Sequence, residues 1–188
     1  MSVVATKKGE TKRERILDAA RTLFLRNGLR GTTMEAIARE ARIAKPTLYA
    51  HFPDKDAVFV AIVEHMLAAK IAAFEAGLES DGPVEVRVGA ALAAEFAVVA
   101  DMLAGSPHAD ELFAAHRQGA ELFRLSDERV AARLEAELAE AGVTDAPALA
   151  RLLLAASFGL AQKAIGRTDL GADIRLLAAR LIVPALPR

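Results

Sequence analysis

Apolar residues near the start of the chain recur every three or four positions, which is the spacing of one face of a helix. Ile16 and Phe24 belong to this stripe, and Asn27-Gly28 follows it with residues that tolerate a left-handed turn. The pattern therefore predicts a first helix over residues 11–27.

Two further helices are predicted close behind the first, separated from each other by a three-residue turn. Thr32 and Glu35 have the spacing of a capping box, which predicts a helix over about 33–41. Pro46 suits the first turn of a short third helix that ends before Pro53, because proline lacks an amide that would have no partner there. Two helices joined in this way have the geometry that places a helix in the DNA major groove.

Beyond residue 53 the apolar runs predict six more helices and no strand. Asp54 can cap the first of these, because its carboxylate can accept from a free backbone amide. Ala and Leu dominate the composition, whereas Thr, Tyr and Trp are scarce, which favours an all-α fold. The predicted helices span 54–77, 83–104, 108–124, 127–141, 145–165 and 170–184, with a turn at Leu125-Ser126-Asp127.

Charge is unevenly distributed along the chain, although the net charge is only −1. Residues 1–55 contain 12 Lys and Arg against 6 Asp and Glu, a net charge of +6. Residues 56–188 contain the remaining 12 against 19, a net charge of −7. A basic segment favours contact with DNA phosphates, and an acidic remainder is repelled by them.

The composition excludes several other classes of protein. Without cysteine there is no disulfide, thiolate metal site or thiol nucleophile, and the four histidines lack the i, i+4 spacing of a helical zinc site. We find no paired nucleophile and base, no spaced carboxylate pair and no phosphate-binding glycine loop, so no enzyme, metal or cofactor is expected. The apolar stretches at 88–100 and 146–161 fall short of the roughly 20 residues of a membrane span. The N-terminus lacks a signal peptide, which predicts a cytoplasmic protein without membrane contact.

The segment from residue 11 to about residue 60 resembles the TetR (tetracycline-repressor) family of DNA-binding regulators. The resemblance lies in Thr-Thr-Met-Glu-Ala-Ile-Ala at 32–38, Ile-Ala-Lys-Pro-Thr-Leu-Tyr-Ala-His-Phe at 43–52 and Asp-Lys at 54–55. The turn departs from the family pattern, since Arg42 and Ala44 stand where glycine and serine are common. The lost serine cap is expected to weaken the third helix slightly.

The resemblance implies a division of the all-α chain into two domains. An N-terminal three-helix DNA-binding module that contains the helix-turn-helix is expected at residues 11–56. A larger helical domain for effector binding and dimerisation is expected at residues 57–188.

The resemblance also implies which residues contact DNA. Thr33 and Lys55 lie near helix N-termini, where backbone amides and the helix dipole favour a phosphate. Lys45 can reach guanine acceptors, Thr47 a thymine methyl group or a phosphate, and Tyr49 the DNA backbone.

Other residues of the same segment have different expected roles. The apolar core that joins the two helices is expected to consist of Ile37, Ala41, Ile43, Leu48 and Phe52. Arg42 either contacts a phosphate or is only solvated, and His51 is expected to contact phosphate. The full set of candidate DNA-binding residues is Thr33, Arg42, Lys45, Pro46, Thr47, Tyr49, His51 and Lys55.

Glu95 is an unusual residue in the helix expected over 83–104, because it shares an apolar stripe with Leu92 and Met102. It is either a polar anchor inside an effector pocket or a side chain that reaches solvent. The candidate pocket residues are Glu95, Phe96, Met102, Phe113, His116 and Phe123.

The last two predicted helices are too apolar to be exposed in a monomer. The resemblance implies that they form the four-helix interface of a homodimer, which presents two DNA-binding modules to a near-palindromic double-stranded operator. The expected function is a transcriptional regulator, a repressor that a small-molecule effector releases from DNA. The alternative is an architectural or cell-division control protein that uses the same module without an effector.

Overall fold

Helices form nearly all of the described chain, as the apolar periodicity predicts. The computed structural model describes residues 11–114, 120–163 and 169–187, with the backbone alone at 110, 113, 114, 120, 162 and 163. No strand occurs among these residues, which confirms the all-α prediction. In chain order the helices are α1 (Lys12–Asn27), α2 (Met34–Glu40), α3 (Lys45–His51), α4 (Lys55–Leu78), α5 (Val84–Leu103), α6 (Ala109–Ala114), α7 (Ala120–Glu140), α8 (Ala146–Lys163) and α9 (Leu170–Ile182), followed by a 3-10 turn at Val183–Ala185.

The chain folds as two compact units. The first contains Met1–Glu64 and Gly105–Ala120, and therefore includes α1, α2, α3, the first part of α4, and α6. The second contains His65–Ala104 and Glu121–Arg188, with the remaining helical segments. The units divide within α4 at residues 64–65, whereas the expected domains divide within it at 56–57, and α6 lies with the first unit. The expected functional domains stay a prediction.

An apolar core joins the helices of the first unit. Phe24 of α1 is buried, and its ring meets the ring of Phe59 edge to face at 5.9 Å. Of the five expected core residues, Ile37, Ala41, Leu48 and Phe52 are buried, which confirms the prediction for these four, and Ile43 is partly buried. Burial of one such side chain contributes about 1.5–3 kcal/mol, so this core is what holds α3 against α2.

The capping box lies at the start of α1, not at the start of α2 as predicted. Thr11 accepts a hydrogen bond from the Glu14 amide at 3.2 Å, and Glu14 accepts one from the Thr11 amide at 2.7 Å. Thr33 caps α2, since its hydroxyl accepts from a backbone amide one turn further on. Thr32 is buried instead and donates to the Gly28 carbonyl at 2.8 Å, so its hydroxyl ties the α1–α2 loop to the end of α1.

Close packing around α5 organises the second unit. This helix contacts α8 and α9, and its Leu92 is fully buried. A Cβ atom at Gly77 of α4 would lie 2.3 Å from the Ala91 Cα, and one at Gly89 would lie 3.2 Å from the Arg175 Cα of α9. Both α4 and α9 therefore approach α5 nearly backbone to backbone, which leaves no room for a larger residue at Gly77.

The turn predicted at residues 125–127 is wrong, because α7 runs through it without interruption. Serine and aspartate usually favour caps and turns, yet Ser126 is buried within the helix. The exposed Arg124 is ion-paired with both Glu121 and Glu128, three residues before it and four after it. Pairs at this spacing favour a helix, and the pair between Arg124 and Glu128 spans the predicted break.

One described helix, α4, is long and apolar enough by length and composition to cross a membrane. In this structure 44% of its most apolar 18-residue window is buried. A core helix of a water-soluble protein passes the same test, so this property does not identify a membrane span.

Candidate nucleic-acid interface

The turn between α2 and α3 is a Schellman motif in which Arg42 occupies the left-handed position. The Ile43 amide donates to the Ala38 carbonyl at 3.0 Å, and the Arg42 amide donates to the Arg39 carbonyl at 3.2 Å. Arg42 has a φ of 55°, and every other described residue with a positive φ is a glycine. A side chain in this conformation costs roughly 1–2 kcal/mol, which is why glycine usually occupies it. The Arg42 side chain is exposed in the turn that precedes α3.

One side of the short helix α3 is buried in the core of the first unit, and its other sides present polar residues to solvent. Leu48 is fully buried, whereas Tyr49 is 47% exposed. Ala44 caps the helix without a side-chain hydrogen bond, as the loss of serine predicts. The other candidate contacts of α3 are Lys45, Pro46 and His51, which are exposed, and Thr47, which is half-buried.

Thr33 and Lys55, the two expected phosphate contacts at helix N-termini, have different surroundings. Thr33 is exposed and caps α2. Lys55 is half-buried, and its ammonium donates to the Leu29 carbonyl at 2.7 Å and to the Thr32 carbonyl at 3.1 Å. Two of its three donors therefore tie the start of α4 to the α1–α2 loop, and one donor is left for a phosphate.

An ion pair joins α2 to α3 on the exposed side of the helix-turn-helix. Lys45 Nζ lies 3.1 Å from Glu35 Oε1, and the two side chains are 59% and 53% exposed. The pKa of Glu35 lies below its ordinary value, because its own backbone amide donates to the carboxylate and because Lys45 lies close. Glu35 is therefore an ionised carboxylate among basic and neutral candidate residues.

The segment that follows α5 bonds to the C-terminal end of α1 within the first unit. The Ser106 hydroxyl donates to the Leu25 carbonyl at 2.8 Å, and Glu111 of α6 accepts from the Arg30 amide at 3.0 Å. A Cβ atom at Gly28 would lie 2.3 Å from the Glu111 carboxylate. Gly28 also has a φ of 75°, a conformation that favours glycine, whereas the Glu111 side chain could shift to admit a Cβ atom.

Glu95, the expected pocket anchor, is buried and ion-paired with a lysine in the second unit. Lys70 Nζ of α4 lies 3.0 Å from Glu95 Oε1, and the two side chains are 8% and 3% exposed. The alternative that Glu95 reaches solvent is therefore wrong. Its second oxygen, Oε2, is buried without a hydrogen-bond partner among the described residues. Burial raises the pKa of Glu95, although Lys70 opposes that shift.

The other expected pocket residues have fewer described contacts. Phe96 is half-buried and packs against the apolar core of the second unit. Met102 and Phe123 are also half-buried. The Phe113 side chain and His116 lie outside the described residues. Glu95 differs from these residues because it forms a buried ion pair with Lys70, and such a pair can interact with a polar group of a ligand.

Two residues that contact the candidate sites were not predicted from the sequence. They are Lys70, which pairs with Glu95, and Glu111, which accepts from the Arg30 amide. The signal for Lys70 was a lysine inside the apolar run of α4, a residue that needs a buried partner if its helix is enclosed. No comparable signal existed for Glu111, because the amide that it accepts from lies 81 positions away.

Comparison with known proteins assigns the N-terminal segment to a family. Residues 16–62 match the family described as bacterial regulatory proteins, tetR family. The HTH-type transcriptional regulator UidR of Escherichia coli strain K12 is 39% identical over 67 residues, which are 36% of this chain and 34% of UidR. The chain thus matches about a third of the length of this curated relative.

Two solved structures resemble the chain over nearly its whole length. Salmonella enterica GusR is 25% identical with a TM-score of 0.64, and the alignment covers 94% of this chain and 97% of GusR. The multidrug binding protein EbrR, solved in complex with imidazole, is 26% identical with a TM-score of 0.59. That alignment covers 95% of this chain and 98% of EbrR.

The exposed second helix of a helix-turn-helix is the element that DNA-binding transcriptional regulators with this motif place in the major groove, and α3 has this position in the chain. The N-terminal segment of the chain matches the TetR family of bacterial regulatory proteins. Regulators of this family are soluble proteins that bind DNA as dimers and often bind small-molecule effectors. The family is not known for enzymes.

Proposed function

We propose that the chain is a cytoplasmic, non-enzymatic transcriptional repressor that reads DNA with α3 and leaves it when a small-molecule effector binds. The observation that supports this most directly is the exposed polar surface of α3, which belongs to a segment with a net charge of +6. Thr33 and Lys55 supply phosphate contacts that orient the module, and Lys45 and Tyr49 reach the groove and its edge.

Selection from a randomised duplex library tests DNA recognition. We expect the wild-type protein to enrich a near-palindromic sequence and to bind it at least about 10³-fold more tightly than random duplex DNA. The double variant Lys45→Ala/Tyr49→Ala should lose that preference while it keeps its helical circular dichroism. Wild-type affinity and preference in the double variant would refute the role of α3.

The homodimer interface that we propose consists of α8 and α9. These helices contact each other, and apolar side chains along them and just beyond them are about half exposed or more. Surface of this kind is unusual on a monomer, and two copies would bury it in a four-helix, two-fold symmetric interface. The exposed side chains are Leu152, Phe158, Leu176 and Val183.

Charge substitution within this surface tests the interface. Leu152→Glu/Leu176→Glu should sediment as a monomer and bind the selected duplex less tightly, because the two modules then act separately. Val86→Glu is a matched control, since Val86 is also an exposed apolar residue of the second unit but lies on α5. A dimeric Leu152→Glu/Leu176→Glu variant would contradict the assignment.

The effector site that we propose contains Glu95 and Lys70. A buried ion pair costs desolvation that its attraction often fails to offset, and Glu95 Oε2 has no partner among the described residues. A mainly apolar molecule with a hydrogen-bond donor would satisfy this oxygen, whereas a carboxylate would be repelled by Glu95. EbrR, a multidrug binding protein, is solved with imidazole, which carries an N–H donor.

Three probes of similar shape test this effector chemistry: 2-phenylethylamine, 2-phenylethanol and 3-phenylpropionate. The amine and the alcohol should raise the melting temperature and release the selected duplex, and the carboxylate should do neither. In Lys70→Met/Glu95→Leu the difference between amine and carboxylate should vanish. Equal binding of the carboxylate by the wild-type protein would contradict the proposal. If no small molecule releases DNA, the effector-independent architectural function replaces it.

Transmission between effector and DNA is proposed to use two of the three places where the chain passes between units. One is α4, which begins at Lys55 and continues into the second unit. The other is the segment whose Ser106 and Glu111 bond to the end of α1. Ser106→Ala/Glu111→Ala should bind the selected duplex normally but need more effector for release. An unchanged release curve would show that this contact does not transmit the signal.

A further inference from the structure

Glu35 and Lys45 form a charged pair at the surface that is proposed to face DNA. Lys45 is the first residue of α3 and Glu35 the second residue of α2, so the pair bridges the two helices of the helix-turn-helix. Lys45 Nζ and Glu35 Oε1 are 3.1 Å apart, and both side chains are more than half exposed. A donor and an acceptor are therefore presented side by side to solvent.

An acid in the first turn of α2 stabilises that helix, but this does not explain why Glu35 pairs with Lys45 of α3, and neither does general affinity for DNA. An exposed ion pair contributes little to folding. A carboxylate beside the recognition helix is repelled by phosphates, which lowers affinity for any duplex. Its acceptor-only chemistry does have partners in the major groove, because cytosine N4 and adenine N6 are amino donors there.

We propose that Lys45 and Glu35 read one G·C base pair as a unit, with the ammonium on guanine O6 or N7 and the carboxylate on cytosine N4. This inference rests on the proposed function, namely that α3 enters the major groove. Guanine O6 and cytosine N4 are hydrogen-bonded to each other, so they lie about 2.9 Å apart. That separation matches the 3.1 Å between Lys45 Nζ and Glu35 Oε1, and donor meets acceptor at both positions.

The same pair discriminates against C·G and A·T pairs. A T·A pair still offers thymine O4 to Lys45 and adenine N6 to Glu35, and is disfavoured only because it lacks the guanine N7 acceptor. A C·G pair in the reverse orientation would place the cytosine amino group against the Lys45 ammonium and guanine O6 against Glu35. An A·T pair would place thymine O4, which is only an acceptor, on the side of the carboxylate. Repulsion of the wrong pairs thus adds to attraction of the right one, and Glu35 supplies that repulsion.

The test compares base preference in the wild type and in Glu35→Ala, Lys45→Ala and the double variant, using the duplex that the wild-type protein selects from a randomised library. Each base pair of one half-site is changed in turn, and affinity is measured by fluorescence anisotropy. Glu40→Gln is the matched control, because Glu40 is an exposed acid of α2 roughly 140° around the helix from Glu35.

We expect replacement of one G·C pair by C·G or A·T to weaken wild-type binding about tenfold or more, and replacement by T·A to weaken it less. Glu35→Ala should abolish most of the preference at that pair alone, and should bind random duplex DNA more tightly because a negative charge is lost. The double variant should lose no more preference than either single variant, whereas Glu40→Gln should keep it. Circular dichroism confirms that each variant is folded.

Retention of the full wild-type preference at every position by Glu35→Ala would overturn the inference. So would a loss spread evenly over the half-site, which indicates a structural effect. A wild-type protein that enriches no sequence would instead contradict the proposed function, so the two failures are distinguishable.

Discussion

Two lysine–glutamate pairs of nearly equal length, one in each unit, differ in their physical setting. In the first unit Lys45 and Glu35 are 3.1 Å apart and more than half exposed, whereas in the second Lys70 and Glu95 are 3.0 Å apart and more than nine-tenths buried. The pKa of Glu35 lies below its ordinary value and that of Glu95 lies above it. Burial rather than distance decides the direction, because desolvation penalises the charged form.

This difference has a functional consequence for each pair. An exposed pair contributes little to stability and can exchange its partners at small cost, which suits residues that bind another charged molecule. A buried pair is expensive to separate, because one partner would then remain as an unpaired charge. Lys45 and Glu35 are therefore suited to recognition, and Lys70 and Glu95 to a site that responds to a bound group.

The largest expected effect follows from removal of one buried charge. Lys70→Ala should lower the free energy of unfolding by about 3–5 kcal/mol, since Glu95 would be left buried without a counter-charge. Urea unfolding followed by circular dichroism measures this change. The control Lys70→Met/Glu95→Leu should be as stable as the wild type or more so, and a variant as unstable as Lys70→Ala would contradict the explanation.

A second expected effect is a pH dependence that belongs to Glu95. Its pKa in the folded state lies above the ordinary value of 4.5, so between these two values the folded state binds more protons than the unfolded state. The wild type should therefore lose stability as the pH rises from 4.5 through the folded pKa, and Lys70→Met/Glu95→Leu should lack this component. Unfolding curves measured between about pH 4 and about pH 8 test this pH dependence. A pH-independent difference between the two proteins would count against it.

Stability in the first unit should respond to its helix caps more than to its ion pair. Ala44→Ser supplies the hydroxyl that the start of α3 lacks, and should raise the free energy of unfolding by about 1 kcal/mol. Thermal unfolding measures the gain. Ala50→Ser, on an exposed position within α3, is the control and should not stabilise.

A smaller gain is expected from the turn before α3. Arg42→Gly removes the strain of a φ of 55° and should stabilise the protein by about 0.5–1 kcal/mol, after allowance for the greater freedom of glycine in the unfolded chain. If Arg42 contacts a phosphate, the variant should also bind DNA less tightly, with a salt slope reduced by about one per module. Destabilisation by Arg42→Gly would contradict this account of the turn.

The smallest effect is expected at the exposed pair itself. Lys45→Ala should leave the urea midpoint unchanged within error, because an exposed ion pair is screened by water. Its effect should be seen in DNA binding alone. A loss of stability comparable to that of Lys70→Ala would remove the contrast between the two pairs.

Local patterns were sufficient for most of the fold. Periodic apolar residues predicted α1, α3 and α5 to within a few residues, and Asp54 accepts from the Ala57 amide at the start of α4 as expected. The expected DNA-binding residues are all at least partly exposed, but their contacts with DNA stay a prediction. These successes share a cause, since helix periodicity and caps depend on residues at most four positions apart.

Predictions were wrong where distant parts of the chain decide a residue's surroundings. Thr32 and Thr33 are chemically alike, and only the packing of the α1–α2 loop determines that Thr32 is buried and Thr33 caps. Serine favours turns, which predicts a turn at Ser126, yet this residue lies in a continuous helix.

The sequence by itself determined most of the helices, the helix-turn-helix and the basic character of the segment that contains it, because each depends on neighbouring residues or on composition. Only the tertiary structure decided that Lys70 meets Glu95, that Glu111 accepts from Arg30, and that Glu35 meets Lys45. The physical reason is that the energy of a charge depends on which atoms enclose it. That enclosure comes from helices far apart along the chain.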